Sequence, residues 1–235
     1  MTIRSPAPVL HPAAARTAVL DAAATLAGEG LVNAFGHVSA RQAGSFLITP
    51  PVPLGTLTAD AALLSVPLDS TVLSSGVPPE AWLHAAVYRA RPDVGAIARA
   101  QPAAAAAVAA SGRSLRALHG QGVLAGREVP VHPDARLART QQAGDAIALS
   151  LGAATSMLLR GNGAVTTGND PGVAAARMWA LEASAALNLP LLAFGDVPGL
   201  SVAEVEHWEA VSDELLERLW RYLRLRHPTS NLDPA

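Results

Sequence analysis

The chain has 235 residues, half of them hydrophobic and 15% charged, with a formal charge of −2. That balance gives no electrostatic reason to bind nucleic acid or an anionic membrane, and the length suits one sizeable core without requiring two. Cysteine and lysine are both absent, all 17 basic residues being arginine, which removes disulfides, thiolate chemistry and every Schiff-base mechanism that needs a lysine amine.

In chain order, the proline-bearing residues 1–11 read as an arm. Ala13 to Leu26 forms a helix with Val19, Leu20, Ala23 and Leu26 on one face, ended by Gly28 and Gly30. Residues 32–41 and 45–50 form a hairpin about the Gln42–Gly44 turn. Leu63–Val66 and Thr71–Leu73 read as short strands. Pro78 and Pro79 then open a helix with Glu80 in its first turn, and Ala81, Leu83, Ala86, Val87 and Ala90 supply its apolar face until Pro92 stops it. Glu80 and His84, four apart, share one face of that helix. Val94–Ile97 is the next strand, with Arg99 and Gln101 emerging at its end.

Further along, Pro102 opens an alanine-rich helix to Ser111, and residues 123–131 read as β with a turn at Gly126. Arg136–Leu151 reads as an amphipathic helix, and Thr155–Leu159 and Ala164–Thr167 as strands about a tight Arg160–Gly163 turn. Helices follow over Pro171–Leu187 and Val202–Leu225. Strands cluster centrally with helices around them, which predicts an α/β or α+β sandwich on a mixed or antiparallel sheet. One domain over residues 1–226 and a disordered tail over 227–235 are expected. The longest apolar runs fall short of the ~20 residues a membrane span needs, and no signal peptide is evident, so the expectation is a cytoplasmic protein.

Several motifs occur together: Gly36-His37-Val38-Ser39-Ala40-Arg41, Leu47-Ile48-Thr49-Pro50, Pro79-Glu80 with His84, residues 88–94 (YRARPDV), and residues 158–165 (LLRGNGAV). In order and spacing they resemble the class II aldolase/adducin family across roughly residues 15–222. The Gly-His-Val-Ser form is most similar to its branch of hydroxy-carboxylate decarboxylases. The resemblance implies a central, largely antiparallel sheet between helical layers, a homotetramer with sites between subunits, and a small anionic substrate. It also implies a divalent metal held by three histidines that stabilises an enediolate or enolate, while a glutamate moves the proton.

The resemblance puts the family's His-x-His on Arg99-Ala100-Gln101 and its third histidine on Asn162. Neither guanidinium nor amide replaces imidazole on a transition metal, so no metal cofactor is expected at these positions. Glu80 falls on the acid/base position. Arg99 is open to two readings, an ion pair with Glu80 or an electrostatic stand-in for the metal that holds a carboxylate, phosphate or enolate oxygen. Catalytic candidates are therefore Glu80 and Arg99. Substrate-binding candidates are His37, Ser39, Thr49, Ser74, Ser75, His84, Gln101 and Asn162, although Pro51 and Val52 and the Val77–Pro79 insertion alter the two loops that contact an anionic group in the family. A relocated metal on His37, Glu80 and His84 is the alternative cofactor reading. The expected activity is an atypical, metal-independent lyase; the alternative is an inactive binding or scaffold protein.

Overall fold

The computed structural model describes residues 5–195 and 197–227. The chain opens with α1 (Pro12–Gly28), β1 (His37–Gln42), β2 (Ser45–Ile48), β3 (Leu64–Pro67), α2 (Ala81–Ala90) and β4 (Ala96–Ala100). It continues with α3 (Ala103–Ala110), β5 (Leu115–Arg116), β6 (Glu128–Val129), β7 (Val131–His132), α4 (Gln141–Leu151) and β8 (Ser156–Leu159). It closes with β9 (Gly163–Gly168), α5 (Pro171–Leu191), α6 (Val202–Glu209) and α7 (Ser212–Arg226). Seven strands form one sheet in the order β3-β2-β1-β4-β9-β8-β7. Every neighbouring pair is antiparallel except β7–β8.

Side-chain alternation along β1 and β4 sorts the sheet into two faces. Val38, Ala40, Ala96, Ala98 and Ala100 join the core formed with α1, α3 and α5. Ile97 joins the opposite core, built on Leu83 and Val87 of α2 and Ile147 and Leu151 of α4. Arg99, two residues on from Ile97, therefore falls on the α2 side. His37 and Ser39 fall there too, because they pair with Arg99 and Ile97 across the ladder. The alanines of β4 give the long α5 a flat bed, and the polar side chains go to the other face.

Local signals explain the ends of these elements. Gly44 takes φ +69° in the two-residue β1–β2 turn, where a positive φ is needed. Thr140 caps α4 through Ala143 N–H at 3.2 Å, and Asp170 caps α5 through Val173 N–H at 3.0 Å. The N-terminus of α3 is capped at a distance, its Ala104 and Ala105 N–H groups donating to the Glu182 carboxylate of α5 at 2.9 Å each. Glu29 ties α1 to the C-terminal region by accepting from Trp179 Nε1 at 3.1 Å and bonding His227 at 2.8 Å.

The central sheet flanked by helices matches the expected fold class, but several boundaries differ. Thr71–Leu73 is not a strand; the polar, proline-rich run from Leu68 to Pro79 crosses the surface as turns and bends. The strand expected at Val94–Ile97 begins at Ala96 and runs through Arg99, because Val94 closes a turn onto Arg91 O. The first half of 123–131 is a 3-10 helix, Gly120–Ala125. The helix expected from Arg136 starts only after Thr140, and the one expected over Val202–Leu225 is broken between Glu209 and Ser212. Ala7 of the expected arm is buried and donates to Pro92 O at 3.0 Å. Most of the expected tail, residues 228–235, lies outside the described residues. Among the described residues, no helix is long and apolar enough to cross a membrane.

Candidate active site

Where β1, α2, β4 and the β8–β9 turn meet, they enclose a cleft of about 390 Å³. His37, Glu80, Arg99, Gln101 and Asn162 line its polar part, with Arg139 from the loop before α4. Phe35, Val52 and Leu137 form an apolar rim, and Phe35 is 69% exposed. Of the ten candidates read from sequence, five are therefore brought together here.

Arg99 is the electrostatic centre. It is only 3% exposed, and burial lowers its guanidinium pKa to about 10 while the Glu80 charge pushes it back up. Its Nη2 donates to Asn162 Oδ1 and, at 3.3 Å, to Asn162 O. The direct Arg99–Glu80 ion pair is not formed. Glu80 instead accepts from Arg139 Nε at 3.2 Å, since Glu80 sits at the helix start facing the loop rather than the strand. Arg99 thus holds a neutral amide, and among the described residues no carboxylate forms an ion pair with it. The Gln101 Oε1 atom is buried without a partner, a second polar group with capacity to spare.

His37 lies beside Arg99 and is kept neutral, its pKa lowered to about 4 by burial first and by the Arg99 charge second. Ser39 and His84, expected to touch substrate, lie one layer deeper and do not line the cleft. Ser39 Oγ bonds His84 Nδ1 at 2.7 Å and Tyr88 Oη at 2.8 Å. His84 is fully buried, its ring stacked on Phe46, and burial drives its pKa well below the usual histidine value. Thr49 is also buried, its Oγ1 accepting from Val38 N–H at 3.2 Å, which staples the end of β2 to β1. Ser74 and Ser75 are exposed and lie outside the cleft.

His37, Glu80 and His84 do not converge on one point: the His84 ring lies behind His37, with Nδ1 bonded to Ser39 Oγ. Among the described residues, no three His, Asp or Glu side chains converge on a point where an ion could be held. The donors that the resemblance sets on the ligand positions do gather in the cleft, but as a guanidinium and two amides, a set that does not fit a transition metal. Arg139, Phe35 and Leu137 were not anticipated. They sit in loops whose approach depends on tertiary packing, and the only local signal was the Thr140 cap, which marks the segment before it as loop.

Comparison with known proteins gives the family. Residues 17–189 match the class II aldolase and adducin N-terminal domain. The chain belongs to that family. It is 28% identical over 219 residues to a 3,4-dihydroxyphthalate decarboxylase of Arthrobacter keyseri, covering 84% of this chain and 88% of the relative. It is 30% identical over 211 residues to the protein of the same name in a Terrabacter species, covering 81% and 88%. Among solved structures it resembles the L-fuculose-1-phosphate aldolase of Thermus thermophilus, with TM-score 0.70 and 32% identity over 79% of this chain and 98% of that one. The family members named here are lyases.

Proposed function

We propose that this class II aldolase-like chain is a metal-independent lyase that decarboxylates a small carboxylated carbonyl or hydroxyaromatic compound. The observation that carries this reading is Arg99, a buried cation held by a neutral amide at the head of a cleft. A substrate oxygen placed against it would meet a fixed charge in a water-poor setting, where such a charge is worth most. The bond to the leaving carboxylate breaks and CO2 departs. The electron pair passes to the substrate oxygen, giving an enolate whose charge faces Arg99. A proton drawn from solvent and relayed by Glu80 is then returned to the carbon. A guanidinium gives up the Lewis acidity of a divalent ion, which favours an activated acid over aldol cleavage of an unactivated sugar. The apolar rim of Phe35, Val52 and Leu137 suits a flat ring or short hydrocarbon chain, and the decarboxylase relatives support a carboxylated substrate.

The competing reading is a binding protein without turnover, favoured by the Arg139 contact that already engages Glu80. Carbon dioxide release from 3,4-dihydroxyphthalate and related hydroxy-acids separates the two, measured with and without chelator. The lyase reading requires turnover that survives chelation and is lost in Arg99→Met and Glu80→Gln. Binding of the acid without CO2 release would establish the competing reading, and loss of turnover on chelation would sink metal independence.

A further inference from the structure

Behind His37 runs a chain of buried polar groups that the lyase reading does not use. Tyr88 Oη, Ser39 Oγ and His84 Nδ1 are linked at 2.8 and 2.7 Å, and all three residues are at most 1% exposed. The direction of these bonds follows from counting protons. The Tyr88 hydroxyl has one proton, and Ser39 Oγ is the acceptor within reach. The Ile97 backbone and the Arg41 guanidinium, 4.8 Å from the ring centroid, both favour negative charge on Tyr88 and so act as donors or cations toward it. The assignment that gives each hydroxyl proton an acceptor has Tyr88 donate to Ser39, Ser39 donate to His84 Nδ1, and His84 carry its proton on Nε2.

That Nε2–H is buried with no partner, and so is Nδ1 of His37. The two rings are edge-on with centroids 6.0 Å apart, and no bond joins them directly. One donor and one acceptor, both unpartnered on neighbouring rings, are the partners that a single buried water would take, accepting from His84 and donating to His37. With Nδ1 of His37 sealed inside, Nε2 is the ring nitrogen left to face the cleft that His37 lines.

We propose that Tyr88, Ser39 and His84 are positioning residues which, through one bridging water, lock His37 as its Nε2–H tautomer and aim that N–H into the cleft as a fixed donor to a substrate oxygen. His37 then complements Arg99 with a neutral donor beside a cation, two different handles for one carboxylate or enolate. The tautomer lock does not depend on the lyase reading; its use on substrate does.

Long-range proton–nitrogen NMR of the ¹⁵N-labelled full chain at neutral pH tests this, with His37→Gln and His84→Gln assigning the signals. Both histidines are expected to be neutral with the proton on Nε2. Ser39→Ala removes the donor to His84, so His84 should show mixed tautomers and the His37 nitrogen signals should shift with it. Tyr88→Phe, which keeps the ring, should produce the same change more weakly. A proton on His84 Nδ1 in the unmodified chain overturns the proposal even if neither variant folds. Folded variants that leave the His37 signals unmoved overturn it as well. The expected tautomers and coupling in a chain that releases no CO2 would uphold the lock and sink the lyase reading instead.

Discussion

His37 and Arg99 are directly paired across the antiparallel β1–β4 ladder, which sets an imidazole beside a buried guanidinium on the α2 side of the sheet. The Arg99 charge is one of the two forces that keep His37 neutral, and burial is the larger. Arg99→Met should therefore raise the His37 pKa from about 4 toward, but not up to, the ordinary 6.5, since the ring remains buried. An NMR titration of His37 in both proteins measures this. An unchanged or lower value would mean that Arg99 does not act on His37 as its position requires.

Arg99 is also expected to dominate turnover. Removing one preorganised donor aimed at a developing oxyanion typically costs about 10²- to 10³-fold in rate, so Arg99→Met should lose at least that much in kcat with folding preserved. Arg99→Lys keeps the charge but not the planar guanidinium whose Nη2 reaches both Asn162 oxygens. It should recover only part of the rate. Equal activity in Met and Lys variants would show that the charge is not used.

Glu80 and Arg139 form a rim ion pair, with the Arg139 side chain 58% and the Glu80 side chain 14% exposed. Pairs with one partner so exposed contribute about 0–1 kcal/mol to stability, so Arg139→Ala should leave the melting temperature nearly unchanged. Its effect should fall on the site, by freeing Glu80 to meet substrate and altering KM or the pH profile of kcat. A large loss of stability with no kinetic change would mark the pair as structural.

The sequence made the sheet, its flanking helices and the central cluster legible because alternation and helical spacing are local properties. Alanine on one side of β4 and Ile97 and Arg99 on the other already separate a packing face from a polar one. Glu80, Arg99, Gln101, Asn162 and His37 can be placed in one cleft because they lie at element ends, where short motifs fix position. For Ser39, Thr49 and His84 the motif does not disclose depth, and each bonds a buried partner behind the cleft. Arg139 was invisible for the opposite reason, being brought in by a loop with no motif of its own. The break before Ser212 was missed because residues 202–225 keep a helical pattern through it.

Acid stability should reflect the two buried histidines. An unfolded histidine titrates near 6.5, whereas His37 holds out to about 4 and His84 is also shifted well down. Below 6.5 the unfolded chain therefore binds more protons than the folded one, and stability falls with pH. The His37 contribution is complete above 6.5 and is lost progressively down to about 4, amounting to about 3 kcal/mol at ~1.4 kcal/mol per pKa unit. Denaturant midpoints should decline from pH 6.5 downward, and His37→Gln should flatten that decline. A profile that stays level until the carboxylates titrate would contradict neutral burial of both rings.

The Asn162–Gly163 turn is held in place by a close backbone approach that only glycine permits. Gly163 has φ +80°, and a Cβ there would lie 2.1 Å from Ala100 O, the carbonyl next to Arg99 in the chain. The β4–β9 ladder pairs Ala100 with Ala164, so neither backbone can retreat without breaking it. Gly163→Ala combines strain at a positive φ with a clash against backbone, and losses above about 2 kcal/mol are expected where such mechanisms coincide. Because Asn162 is the partner of Arg99, any folded remainder should lose substrate affinity as well as stability. Gly161→Ala supplies the control: it also has a positive φ, +68°, but its nearest neighbour is the Ala135 Cβ at 3.3 Å, a far milder approach than 2.1 Å to a backbone oxygen. Chemical denaturation of both variants should show Gly163→Ala as clearly the less stable; equal midpoints would mean that the close approach to β4 does not constrain the turn.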